Sequence, residues 1–143
     1  MRIHLNIGSN LGDRAANLRR AVEALGMAFP EGEMRVSRTV ESEPWGYDSD
    51  NAFLNVGVMI DLEESRDPHE VLRRVQEAER SVSVCPHRDA SGGYADRVID
   101  IDIIDIDRMR LESEELTLPH PRMMQREFVM GPLRELDPGF FNS

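Results

Sequence analysis

Acidic and β-branched residues alternate in Arg97-Val98-Ile99-Asp100-Ile101-Asp102-Ile103-Ile104, and the alternation decides what the two carboxylates can do. On a strand the period is two, so Asp100 and Asp102 project from one face while Ile99, Ile101 and Ile103 project from the other. On a helix, residues two apart would point to nearly opposite sides, and the Ile/Val run itself favours a strand. Alternate strand residues lie about 6–7 Å apart at Cα. Carboxylates converging from that spacing can share hard divalent cations, which two-metal phosphoryl sites hold about 3.5–4 Å apart. Arg97, just upstream, can face a phosphate. The stretch therefore reads either as a Mg²⁺-dependent phosphoryl-type transfer site or as an edge strand with one solvated acidic face. The Asp-x-Asp spacing alone does not separate the two.

The elements around this stretch must position it. Ile3, Leu5 and Ile7 alternate with His4 and Asn6 as a first strand. Gly8-Ser9-Asn10-Leu11-Gly12-Asp13 reads as a strand-to-helix turn with Asp13 as N-cap, and it lacks the Gly-Lys-Ser/Thr ending of a Walker A loop. Ala15, Leu18, Ala21, Val22 and Leu25 recur at helical spacing, with Gly26 marking the end. Met34 to Val40 reads as strand two, broken by Ser42-Glu43-Pro44-Trp45-Gly46-Tyr47, a loop that suits either a ligand platform or a hydrophobic plug. In the next strand Leu54, Val56, Val58 and Ile60 look like core. Phe53 and Asn55 on the other face set an aromatic ring beside an amide, a pair that suits a heterocycle with an amide-like edge or a plain edge strand. Asp67-Pro68 starts helix two, with Val71, Leu72, Val75 and Ala78 as its buried stripe. Gln76 and Glu79 share a face of that helix. Ser83 to Ala95 is aperiodic and reads as a long loop, of the kind that forms lids. Beyond the acidic strand, Arg108 to Leu111 suggests a short edge strand, Leu116 to Pro121 an extended crossing, and Arg126, Phe128, Val129 and Leu133 a final short helix on the sheet. The order β-α-β-β-α-β is that of a ferredoxin-like α+β sandwich: an antiparallel sheet, two main helices on one face, and long active-site loops.

With 143 residues the chain is expected to form one domain, residues 1–143. A net charge of −10 argues against a nucleic-acid surface, though a phosphate-bearing small molecule needs only local compensation. No apolar run approaches the ~20 residues of a membrane span, and the first residues lack a signal-peptide layout. A single cysteine, Cys85, fits a reducing compartment, so the expected location is the cytoplasm. All 17 basic residues are arginine. Guanidinium forks match phosphate oxygens bidentately, but genomic base composition explains most of that bias equally well.

Several stretches together resemble one family, the 6-hydroxymethyl-7,8-dihydropterin pyrophosphokinases of folate biosynthesis. They are Gly8 to Asp13, Pro44 with Gly46, Phe53-Leu54-Asn55, Gln76 with Glu79, Arg97 to Asp102, Leu118-Pro119-His120-Pro121, Arg126-Glu127-Phe128-Val129 and Pro132-Leu133. The resemblance spans most of the chain and rests on the joint order and spacing of these pieces. It implies transfer of the βγ-pyrophosphoryl group of ATP to the pterin hydroxymethyl oxygen, with release of AMP. Asp100 and Asp102 match ligands of two Mg²⁺ ions. Arg97, His120 and Arg126 match residues that hold phosphate or nucleotide groups. Phe53 and Phe128 match the aromatic pair around the pterin, and Asn55 the amide at its polar edge. Ser42, Glu43 and Trp45 fall in the loop lining the pterin pocket. Gln76, Glu79 and Tyr94 match positions near the nucleotide.

The chain departs from the family pattern after helix two. The usual Gly-Arg-x-Arg is replaced by Ser83-Val84-Cys85-Pro86-His87-Arg88, leaving Arg88 as the substitute for one catalytic arginine, and Gly-Pro before Arg97 is replaced by Ala95-Asp96. Loss of one arginine from a phosphoryl-transfer site can cost orders of magnitude in rate, so a weaker enzyme or a rewired lid is expected. The alternative is a binding homologue that holds pterin or nucleotide with little turnover. The expected partners are ATP and the pterin, without nucleic acid or membrane, and the expected state is a monomer.

Overall fold

The structure is a computed structural model, and it describes residues 1–43, 52–83 and 98–141. The sheet is built around strand β1, Arg2–Ser9. Antiparallel strands flank it on both sides: β4, Phe53–Asp61, and β5, Asp100–Ile106. The outer edge of β4 is covered by two short strands, β2, Glu33–Val36, beside its C-terminal half, and β3, Val40–Ser42, beside its start. The order β2-β4-β1-β5, with helix α1 (Arg14–Ala28) after β1 and helix α2 (Pro68–Ser83) after β4, is the ferredoxin-like arrangement.

Alternation along the strands divides the sheet into two faces. Ile3, Leu5 and Ile7 of β1, Val56, Val58 and Ile60 of β4, and Ile101, Ile103 and Ile106 of β5 meet Leu18, Ala21 and Leu25 of α1 and Val71, Val75 and Ala78 of α2 in one buried cluster. Each fully buried aliphatic side chain contributes about 1.5–3 kcal/mol, so this layer holds the frame. The opposite face carries Asp100, Asp102, Asn6, Gly8, Asn55 and Gly57. It is partly covered by a third helix, α3 (Glu127–Leu136), seated through Val129, Met130 and Leu133 on Ile104 and Met123. Sequence periodicity places Ile99, Ile101 and Ile103 opposite the two aspartates, and all three isoleucines lie in the helix-covered core.

Both main helices start where their caps predict. Asp13 Oδ1 accepts the Ala16 N–H at 3.1 Å, and Asp67 Oδ1 accepts the His69 N–H at 2.8 Å ahead of Pro68. Helix α1 ends later than Gly26 suggests. Gly26 does not take a left-handed φ, so nothing stops the helix until buried Phe29 caps it through the Leu25 carbonyl. The expected strand 34–40 is two strands. Between them Ser37 keeps its N–H on the Gly57 carbonyl at 2.9 Å, while its Oγ takes the Gly57 N–H at 2.8 Å and donates to the Arg38 carbonyl. The expected edge strand at 108–111 is also corrected. Asp107 and Arg108 turn left-handed, with φ of 52° and 58°. Leu111–Glu112 (β6) then pairs with Thr117–Leu118 (β7) in a separate ribbon.

Strand β5 holds one more residue than β1 across their pairing. Leu5 faces Ile103 and His4 faces Asp105, leaving Ile104 as the extra residue. Asp105 thereby reaches the same face as the other two aspartates. There it meets a polar cluster at the far end of β1, where buried His4 has Nε2 3.1 Å from Asp137 Oδ2 and exposed Arg2 has Nη1 3.3 Å from the same oxygen. The C-terminal aromatics close this end. Phe140 stands edge-on to the His4 ring at 5.2 Å and Arg108 lies over it at 4.8 Å.

Candidate active site

The open face of the sheet places the chemistry-bearing residues in one row. In register, Gly8 of β1 faces Asn55 of β4 on one side and Asp100 of β5 on the other. Strands lie about 4.8 Å apart, so Asn55 and Asp100 are separated by about 10 Å across the glycine. A Cβ on Gly8 would sit 3.0 Å from Asn55 Oδ1 and 3.2 Å from Phe53 Cδ1. The missing side chain therefore leaves a notch that the ring and the amide overhang. One step along, Asp102 faces Asn6. Asn6 is buried, and its Nδ2 donates to the Phe128 carbonyl at 3.0 Å, which pins the first turn of α3 over the sheet.

At the amide end, both Asn55 amide hydrogens are committed: Nδ2 donates to Ser42 Oγ at 2.8 Å and to the Val40 carbonyl at 3.2 Å. That fixes the otherwise ambiguous amide orientation and turns Oδ1 toward the notch as an acceptor. Ser42 thus acts on Asn55. Glu43 is exposed.

At the carboxylate end, Asp100 and Asp102 are half-buried, with a cationic flank from the segment before α3. Arg126 is pulled below its usual range by burial, with Asp102 and Asp100 opposing that effect and favouring its charge. Its guanidinium lies 5.8 Å from the Phe128 ring centre. Burial lowers His120 most, with Arg126 adding to the effect and Asp100 opposing it, so His120 is neutral at neutral pH. Its Nδ1 accepts the Arg122 N–H at 3.2 Å, which leaves Nε2 as the nitrogen that carries the proton and can donate. His120 is itself placed by its backbone N–H, which donates to the Ile104 carbonyl of β5 at 2.8 Å.

The structure thus brings together Ser42, Phe53, Asn55, Asp100, Asp102, His120, Arg126 and Phe128 around one face. Gln76 is exposed on α2. Glu79 is half-buried and accepts the Ile101 N–H through Oε2 at 2.9 Å. Trp45, Arg88, Tyr94 and Arg97 lie outside the described residues. Sequence reasoning gave no role to Gly8 or Asn6. The available signal was a glycine and an amide at the sheet-face positions of β1, in phase with the two aspartates. The turn expected over Gly8 to Asp13 is shorter in the structure: Gly8 and Ser9 still pair within β1, and the turn follows them, with Asn17 Nδ2 donating to Ser9 Oγ at 3.2 Å and to the Leu11 carbonyl at 2.8 Å and Gly12 taking φ 66°. Among the described residues, no group of three or more His, Cys, Asp or Glu is placed to hold a metal ion, and no helix is long and apolar enough to cross a membrane.

Over most of its length the chain is similar to proteins of one family. Residues 4–138 match the 7,8-dihydro-6-hydroxymethylpterin-pyrophosphokinase family. The 2-amino-4-hydroxy-6-hydroxymethyldihydropteridine pyrophosphokinase of Porphyromonas gingivalis is 39% identical over 137 residues, 95% of this chain and 90% of that protein. The Bacillus subtilis protein of the same name is 35% identical over 133 residues, 93% and 76% of the two chains. That of Mycobacterium tuberculosis is 35% identical over 146 residues, 96% and 73% of the two chains.

Proposed function

This chain belongs to the 7,8-dihydro-6-hydroxymethylpterin-pyrophosphokinase family, and from that premise we propose how its residues share the reaction. The reaction is pyrophosphate transfer from ATP to the hydroxymethyl group of 6-hydroxymethyl-7,8-dihydropterin, in folate biosynthesis. The observation that carries the assignment of roles is the row Asn55–Gly8–Asp100, which joins an aromatic and amide end to a carboxylate end over a short gap.

The pterin ring lies between Phe53 and Phe128, over the Gly8 notch. Asn55 Oδ1, with its amide hydrogens held by Ser42 and Val40, accepts a ring N–H. Glu43 and Trp45 line the same pocket. This places the hydroxymethyl arm toward β5. Asp100 and Asp102 are the residues that would hold two Mg²⁺ ions. The donor set fits: both are hard oxygen donors on one face, and Mg²⁺ is commonly held by one or two carboxylates plus water and substrate phosphates. When bound, the ions neutralise triphosphate charge and favour displacement at phosphorus. Arg126 offers a fork to phosphate oxygens beside the carboxylates, and neutral His120 donates from Nε2. Arg97 and Arg88 add charge to the phosphates, while Gln76 and Tyr94 lie toward the nucleotide. The protein works as a monomer in the cytoplasm, with residues 1–143 as one domain.

The test is AMP formation from ATP, Mg²⁺ and 6-hydroxymethyl-7,8-dihydropterin. The native chain releases AMP only with the pterin present. Asp100→Ala and Asp102→Ala each lose at least ~10³-fold in kcat, the scale of removing a charge-stabilising group from phosphoryl transfer, while their thermal unfolding stays cooperative. Turnover that survives in either variant, or that needs no Mg²⁺, would refute the carboxylate roles.

A further inference from the structure

Among the described residues strand β5 is an edge of the sheet, since only β1 pairs with it. Half of its backbone groups therefore face away from the ladder and need other partners. Two of these partners are visible. The Ile104 carbonyl accepts the His120 N–H at 2.8 Å. The Ile101 N–H donates to Glu79 Oε2 at 2.9 Å. The second bond falls at the peptide between Asp100 and Asp102. It is charge-assisted, the stronger class of hydrogen bond. Its acceptor is rigidly based: Glu79 follows Ala78 and stands one turn beyond Val75, and both of those residues are buried in the main core.

We infer that Glu79 is a positioning residue. Its carboxylate holds the peptide between Asp100 and Asp102, and so sets the pitch at which the two carboxylates leave the strand, instead of touching the nucleotide. This rests on the roles proposed above for Asp100 and Asp102. It assigns the helix α2 carboxylate to the back of the site. Misplacement of reacting groups by about 1 Å can cost 10²-fold in rate, so a strand free to shift by that much would pay in kcat. Affinity for ATP, made elsewhere, would change little.

The test compares Glu79→Ala with Glu79→Gln. Glutamine keeps an acceptor oxygen at the same reach, and alanine does not. In the ligand-free protein, amide exchange at Ile101 should be at least ~10-fold faster in Glu79→Ala, as expected when a local hydrogen bond is lost. The Asp102 amide, which faces β1 by alternation, should be unchanged. In turnover, Glu79→Ala should lose about 10- to 100-fold in kcat with the KM for ATP within about threefold. Glu79→Gln should recover most of both losses. The inference is overturned if Ile101 exchange is the same in Glu79→Ala as in the native chain, if Glu79→Gln is no better than Glu79→Ala, or if the KM for ATP rises while kcat holds. A native chain that makes no AMP would instead overturn the reaction assignment, and with it the catalytic role of Glu79. The exchange data would still report on the Glu79–Ile101 bond.

Discussion

Gly57 is where the frame and the site depend on each other most directly. It lies buried on β4, in register with Asn6, beneath α3. A Cβ built there would stand 2.7 Å from Pro132 Cβ, and 3.4 Å from both Leu136 Cδ1 and Ser37 Oγ. Carbon atoms pack at about 3.5–4.0 Å, so Gly57→Ala demands roughly 1 Å of extra room. Pro132 cannot swing away, because its ring is part of the helix backbone. Helix α3 as a whole must lift. Overpacking of this kind costs about 1–3 kcal/mol. At about 2.1 cal/mol/K of unfolding entropy per residue, 143 residues give about 300 cal/mol/K, so Tm should fall by about 3–10 °C. The lift should also reach the site, because the first turn of α3 carries Phe128, whose carbonyl is tied to the sheet by Asn6 and whose ring packs against the cluster around Ile104. Losing about 1 kcal/mol of ring contact would raise the pterin KM about fivefold. Gly131→Ala, in the same helix, is the control. Among the described residues its Cβ meets only Glu127 Oε1, at 3.5 Å, and alanine is the better helix former by about 0.5–1 kcal/mol, so Tm should hold or rise. Scanning calorimetry with steady-state AMP assays reads both effects. A Gly57→Ala protein within 1 °C of native and with unchanged KM would refute the claim that α3 bears on β4 at this point.

Other perturbations separate the remaining contributions. Asn6→Ala leaves the Phe128 carbonyl without its donor and should cost about 1–2 kcal/mol, with a raised pterin KM and an ATP KM close to native; equal rises in both would place the defect elsewhere. Asp13→Ala removes the α1 cap and should lower stability by about 1 kcal/mol, or Tm by about 3 °C, without changing kcat/KM. His4 is held below its ordinary pKa chiefly by burial, against the pull of Asp137 and Asp105. A folded state that resists protonation is favoured above pH ~6.5 and loses stability as pH falls below it. The native chain should therefore lose stability on acidification relative to His4→Asn, by at most about 1.4 kcal/mol per pH unit. Asp105, raised by burial with His4 opposing that effect, pulls the opposite way in both proteins and more strongly once His4 is replaced, which widens the difference in the same direction; Arg2 is common to both. Parallel curves of Tm against pH would refute this assignment.

Much of the frame could be read from the sequence because periodicity reports burial directly. The isoleucines of β5 alternate with aspartates, and the apolar stripes of α1 and α2 recur at helical spacing, so each face declares itself. The caps at Asp13 and Asp67 are equally local. The misreadings occurred where tertiary contacts override local preference. Gly26 looks like a helix stop, yet nothing forces a left-handed turn there. Strand 34–40 breaks because Ser37 answers to Gly57, twenty residues away in sequence. The site itself was legible as carboxylates, an amide and aromatics, but not as a row. That Gly8 separates Asn55 from Asp100 depends on strand order, which no local pattern encodes.

The extra residue in β5 carries a further consequence. Without Ile104 the strand would alternate perfectly, with Asp100, Asp102 and Asp105 on one face and Ile101, Ile103 and Ile106 on the other. With it, the strand has two segments of the same phase joined by a stutter. Nearer Asp102, losing one residue would turn the Asp100 and Asp102 carboxylates toward the helix-covered core. At Ile104 the same change leaves both segments facing as they do now. What it removes is the side chain that seats Met123, Val129, Met130 and Leu133. The bulge is thus a seam at which the length of the strand can vary independently of the chemistry, with the seating of α3 as the property that would be lost.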